Sequence, residues 1–200
     1  PFVFEGYKTI AFEITEQYGI PDAVILPVGA GDGFYGVWKG FRELAALNII
    51  DETPRMIAAE AAERSPLTNA LDAGADTVGY DHGPTPISVS TRGPTTGDHT
   101  LHAVRESDGG AFAIPRDAVE EALRVAGRDG VFMEPASALA VAAIEPAVEN
   151  GLLDQMDTVV PVATGAGIKW PASTAEILGE VPTIDPTISD LQAVVPFDLD

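Results

Sequence analysis

Ala23-Val24-Ile25-Leu26-Pro27-Val28-Gly29-Ala30-Gly31-Asp32-Gly33 is the stretch on which the fold turns. Its first six residues are apolar and carry no charge, the pattern of a strand buried on both faces. The glycines that follow let the backbone turn tightly and let a ligand approach its N–H groups. Beyond them Phe34, Val37, Trp38, Phe41, Leu44 and Ala45 recur at helical spacing, which predicts a helix over residues 34 to 47. The turn therefore lies at the carboxyl end of a strand, where α/β sheets bind ligands. The following helix adds its positive end, and together they form an anion cradle best suited to phosphate. Gly29, Ala30, Gly31, Asp32 and Gly33 are the candidate ligand-binding residues, acting through backbone N–H groups. The competing reading is a plain strand–helix turn. No Lys-Ser/Thr pair follows, so the turn is not a Walker A loop, and Gly36 completes a dinucleotide fingerprint only loosely. Asp32 repels a phosphate unless it points away, and a second role for it is capping the helix.

The rest of the chain repeats the alternation. A second strand is expected at 55–61 and a short helix at 66–73, with Ser65 as its cap and Pro66 at its first position. Residues 79–97 are rich in Gly, Pro and Thr, too irregular to assign, and the place to expect a mobile loop. A helix at about 98–107, a strand at 111–114 and a helix at 116–126 follow. Asp117, Glu120 and Glu121 sit near the positive end of that last helix. The Ala-rich run 137–148 reads as one helix, and 158–163 as a strand ending at Thr164-Gly165-Ala166-Gly167. After Ala172 the chain is proline-rich and is expected to run over the surface. Alternation of this kind predicts an α/β fold: an open, mostly parallel twisted sheet with helices on both faces. Residues 1–180 form its domain and 181–200 a surface tail.

The chain has 200 residues, 11 basic against 31 acidic, for a net charge of −20. Such a field repels nucleic-acid phosphates and anionic lipids, so neither is an expected partner. Scattered acids with few lysines are typical of proteins from salty cytoplasm, where screening tolerates high charge. There is no cysteine, which removes disulfides and thiolate chemistry. No apolar run is long enough for a membrane span, and no signal peptide is visible, so a cytoplasmic location is the default. His99 and His102 lie three apart on a helix face, but no third and fourth metal ligand is evident. Ser65 and Ser137 lack the context of a hydrolase nucleophile.

Five segments, in order, resemble the threonine synthase branch of fold-type-II pyridoxal-phosphate enzymes. They are Gly6-Tyr7-Lys8-Thr9-Ile10-Ala11-Phe12-Glu13-Ile14, then the glycine turn with Gly36-Val37-Trp38-Lys39-Gly40-Phe41. Pro54-Arg55-Met56-Ile57-Ala58-Ala59-Glu60-Ala61, Glu134-Pro135-Ala136-Ser137-Ala138 and Ala163-Thr164-Gly165-Ala166-Gly167-Ile168-Lys169 follow. The resemblance implies the large-domain portion of such an enzyme, with pyridoxal 5'-phosphate as cofactor, an amino-acid substrate and a homodimer. It implies that residues 29–33 hold the cofactor phosphate and that Thr164 hydrogen-bonds the pyridine nitrogen. A hydroxyl there leaves that nitrogen largely unprotonated, which favours β-chemistry over transamination. Glu134 either borders the pocket or is simply an acid at a helix start.

The family's Schiff-base lysine belongs to an N-terminal serine-phenylalanine-lysine-aspartate segment that does not occur here. Lys8, Lys39 and Lys169 do not match it, though Lys169 follows the Thr164 turn and could approach the site. The chain is therefore expected to be a C-terminal part, without a catalytic lysine of its own, whose partner is the missing N-terminal part. Asp32 and Gly33 stand where the family usually has Gly-Asn, Ala166 stands in place of His, and residues 87–101 depart from its pattern. These changes leave open a related dehydratase, cysteate synthase or diaminopropionate ammonia-lyase, and a non-catalytic phosphate-binding domain.

Overall fold

The computed structural model describes residues 2–178 and 182–195. Its four strands are β1 (Ala23–Pro27), β2 (Arg55–Ala61), β3 (Gly110–Ile114) and β4 (Val159–Pro161), all parallel and ordered β3-β2-β1-β4. Ile25 lies opposite Ile57 on one side and Pro161 on the other, while Ala59 lies opposite Phe112. β1 is apolar throughout because alternate residues serve different cores. Val24 and Leu26 join Phe34, Phe41, Met56 and Leu101 on one face. Ala23 and Ile25 join Ile57, Leu139 and Ala143 on the other.

The first face is covered by α1 (Phe2–Gln17), α2 (Asp32–Ala46), α3 (Pro66–Asp72) and α4 (Asp98–Glu106). The second is covered by α5 (Arg116–Arg128), α6 (Pro135–Ala142) and α7 (Ile144–Glu149). This is the expected sheet with helices on both faces. Each fully buried Phe or Leu at such an interface contributes about 1.5–3 kcal/mol.

Several local expectations need correction. The run 137–148 is two helices, not one. Pro146 has no N–H and its ring clashes with the carbonyl four residues back, at Ala142, where α6 ends. The last strand is shorter than expected, ending at Pro161, although Val162 N–H still donates to Ile25 O at 2.9 Å. Ser65 precedes α3 but makes no side-chain cap. The buried Glu60 carboxylate does so from β2, accepting from the N–H groups of Leu67 (3.1 Å) and Thr68 (2.8 Å). Burial raises the pKa of Glu60 against those hydrogen bonds.

Segment 79–97 is irregular, apart from a 3-10 turn at Val89–Thr91, but it is tied down. Arg64 donates to the carbonyls of Gly83 (2.7 Å) and Arg92 (2.6 Å), and Thr96 Oγ1 donates to Gly29 O at 2.6 Å. After Trp170 the chain forms two short helices, α8 (Pro171–Leu178) and α9 (Ile188–Val194), the second of which buries no residue. Part of the expected surface tail, residues 181 and 196–200, lies outside the described residues; 182–189 and 191–195 are exposed.

Candidate functional site

The carboxyl end of β1 runs directly into the glycine turn. Gly31 adopts φ 91°, a left-handed conformation that favours glycine, and caps α2. A Cβ there would lie 1.8 Å from Thr100 Oγ1 on α4, so the close approach of that helix also requires glycine. Tyr35 N–H donates to Gly31 O at 2.9 Å and makes the first bond of the helix. The N–H groups of Asp32, Gly33 and Phe34 precede it and have no intrahelical acceptor. Two bonds fasten the turn from behind: Gly97 N–H to Ala30 O (3.1 Å) and Thr96 Oγ1 to Gly29 O.

Asp32 does not cap the helix as expected. Gly31 occupies the cap position, which puts Asp32 at the first helical residue with its side chain off the helix N–H groups. Its carboxylate instead lies 3.6 Å from His99 Nε2.

A cavity of about 350 Å³ opens over this turn. Gly29, Ala30, Gly31, Asp32 and Gly33 form one continuous part of its lining, with Ser90 and Thr91 packed against Gly29; Glu134, Thr164 and Lys169 come from other segments. All six candidate ligand-binding residues are thus brought together. Thr164 is exposed toward solvent, with Oγ1 3.4 Å from the Ser137 hydroxyl. Ser137 Oγ is held by Gly165, accepting from its N–H at 2.8 Å and donating to its carbonyl at 3.1 Å.

Glu134 is 1% exposed yet borders the cavity, and its side chain caps no helix N–H. Ser90 Oγ donates to it over 3.4 and 3.5 Å, and Lys169 Nζ over 3.4 Å. These are long contacts for a buried carboxylate.

The other two lysines are engaged elsewhere. Lys8 pairs with Glu5 and with Glu43 (2.6 Å), and Lys39 pairs with Glu5. The Lys39 and Lys8 ammonium groups hold the Glu5 carboxyl down at about 2. His99 and His102 make ring contacts, His102 with Trp38 and His99 with Phe4 and Tyr35.

The sequence reading missed Ser90, Thr91 and Tyr7 as cavity residues, and missed Ser137 as the support of the Gly165 backbone beside Thr164. Ser90 and Thr91 sit in a stretch without periodicity, where no spacing rule places a side chain. Tyr7 and Ser137 lie within segments that carry the family resemblance, and that was their available signal.

The residues fit pyridoxal phosphate. A cavity of this size suits a small phosphorylated ring. A run of free helix-start amides suits its phosphate. A larger, mainly apolar groove of about 480 Å³, lined by α5, Phe132 and Ile177 of α8, offers only Arg124 and Arg128 as charged groups among the described residues.

Curated relatives include threonine synthases. That of Methanocaldococcus jannaschii is 37% identical over 177 residues, covering 86% of this chain and 44% of the relative. Those of Methanosarcina acetivorans and Mycobacterium tuberculosis are 32% and 34% identical, each over 98% of this chain and 49% and 52% of the relative. The chain spans about half the length of the curated relatives it matches. Similar solved structures include a threonine deaminase from Solanum lycopersicum (TM-score 0.70, 21% identity, 87% of this chain and 48% of that one). A serine racemase from Dictyostelium discoideum matches at TM-score 0.65 (24% identity, 82% of this chain and 49% of that one). These two show the shared fold. A family model described as pyridoxal-phosphate dependent enzyme matches residues 1–165, which takes in the glycine turn, Glu134 and Thr164. This chain therefore belongs to the pyridoxal-phosphate dependent enzyme family, and pyridoxal phosphate is its cofactor.

Proposed function

We propose that this chain supplies the cofactor-phosphate cradle of a threonine synthase-like enzyme, which converts O-phosphohomoserine to threonine with release of phosphate. The observation that carries the reading is the juxtaposition of the helix-start amides at 31–34 with the Thr164 hydroxyl across one cavity. The order and similarity of the segments shared with the curated threonine synthases favour that reaction over others of the family.

When bound, the cofactor supplies an electron sink for a carbanion. The backbone amides of residues 29–33 hold its phosphate, and α2 lends the positive end of its dipole. Thr164, whose adjoining Gly165 backbone is held by Ser137, is placed to hydrogen-bond the pyridine nitrogen as a neutral donor. Glu134 holds Lys169 at the cavity mouth. The lysine that carries the cofactor is proposed to belong to a segment outside these residues.

A second reading is a dehydratase or related lyase. It is favoured by Ser90 and Thr91 in the cavity lining, because residues 87–101 depart from the synthase pattern. Assay of the full-length protein separates the two. The synthase reading expects threonine and inorganic phosphate from O-phosphohomoserine in equal amounts. Phosphate without threonine, or oxo-acid from threonine or serine, contradicts it.

The net charge of −20 supports a high-salt cytoplasmic setting. Melting temperatures are then expected to rise from low to molar salt; flat or falling values contradict that setting.

A further inference from the structure

Asp32 places a negative charge beside amides suited to an anion. A carboxylate in the first turn stabilises the helix end while the cradle is open. It opposes any oxyanion that enters, because both sit on the same cavity wall. His99 stands where that charge can be cancelled. α4 starts immediately after Gly97, whose N–H is bonded to Ala30 O, so the first turn of α4 is fastened to the glycine turn. His99 Nε2 is buried without a hydrogen-bond partner and lies 3.6 Å from Asp32 Oδ1, just beyond bonding range.

The surroundings of the ring are defined. α1 presents the Phe4 ring, with centroids 5.1 Å apart, and α2 presents Tyr35 at 5.0 Å together with Asp32. α4 itself presents Asp98. Burial lowers the pKa of His99, while the charges of Asp32 and Asp98 raise it. The lowered value leaves the imidazole neutral at pH 7 in the open cradle.

We propose that a tetrahedral oxyanion binds in the cradle at residues 29–33 together with one proton, which His99 takes up as it closes on Asp32 and neutralises it. The oxyanion's charge raises the proton affinity of the His99–Asp32 pair, and by linkage the added proton raises affinity for the oxyanion by the same factor. The inference rests on the phosphate cradle proposed above.

Sulfate is the probe, because its charge is fixed between about pH 5 and about pH 8, whereas phosphate titrates in that range. The full chain is titrated with sulfate at constant ionic strength, with pyridoxal phosphate added in competition to identify the site. The expected result is an affinity about tenfold higher at the acid end, with the His99 pKa raised by about one unit when sulfate is bound, read from its imidazole NMR signals. H99Q is expected to flatten the pH profile, and D32N to flatten it while tightening binding at the alkaline end. Sulfate binding that is displaced by pyridoxal phosphate but shows no pH dependence, or an unmoved His99 signal, overturns the inference and leaves the cradle standing. Sulfate that pyridoxal phosphate fails to displace, or no sulfate binding at any pH, overturns the cradle and the inference with it.

Discussion

The two walls of the cavity are built differently. The phosphate-side wall is one continuous strand, turn and helix start, with its backbone groups tied by bonds of 2.6 to 3.1 Å to Thr96, Gly97 and Tyr35. The second wall, built from Glu134, Thr164 and Lys169, is assembled from side chains of separate segments, and the contacts of those side chains are long: 3.4 Å from Lys169 to Glu134, 3.4 and 3.5 Å from Ser90 to Glu134, and 3.4 Å between Ser137 and Thr164. Hydrogen bonds weaken at such lengths, so these groups keep unused capacity for a ligand. The first wall is already bonded in the free protein, and the second is expected to tighten on a ligand, as catalytic contacts often do. Substitutions in the first should therefore abolish binding or folding, while those in the second should tune it.

The largest effect is expected from Gly31→Asp. The new Cβ meets Thr100 and requires the left-handed conformation, and the carboxylate adds charge at the phosphate position. Affinity for pyridoxal phosphate should fall more than about 100-fold, equivalent to about 3 kcal/mol. An unchanged absorbance titration of this variant would refute the cradle. Gly36→Ala comes next. Its Cβ would lie 2.5 Å from Tyr7 Cβ and 2.9 Å from Phe4 O, where α1 packs closely on α2. Overpacking of this kind costs about 1–3 kcal/mol, read as a lower urea midpoint. A midpoint at the wild-type value would mean that α1 is free to move away.

Thr164→Val tests the second wall. It removes the hydroxyl while keeping the shape, so cofactor affinity should fall only about fivefold, with the absorbance maximum shifted. A loss as large as that of Gly31→Asp would erase the proposed distinction between the walls. The smallest effect concerns Glu60, which ties β2 to α3 behind the turn. Its folded pKa is raised by burial, so its contribution to stability is fully present below the unfolded value of 4.5 and is lost as pH rises through the folded value. Wild-type stability should therefore decline relative to E60Q by about 1 kcal/mol over that window, measured by urea unfolding. A gap that widens in favour of wild type as pH rises would contradict the burial argument.

Legibility in the sequence follows the same division. Strand 23–28, the turn and the apolar face of α2 were readable, because a buried parallel strand and an amphipathic helix each impose a local pattern. The Gly6-to-Ile14 segment carried a resemblance but no clear helix, since α1 exposes Phe2, Val3, Tyr7 and Phe12 and so blurs its own periodicity. Pro146 did signal the break between α6 and α7, but the alanine-rich composition outweighed it. The capping of α3 by Glu60, the placing of Ser90 and Thr91, and the meeting of Lys169 with Glu134 depend on tertiary contacts between distant residues, which no local pattern encodes.

The most direct test of the cradle follows backbone amide NMR signals of the chain during titration with pyridoxal phosphate. The largest shifts are predicted at Gly29, Ala30, Gly31, Asp32, Gly33 and Phe34, with smaller ones at Thr164. Saturable binding that leaves those six amides unmoved and shifts signals elsewhere would contradict the account.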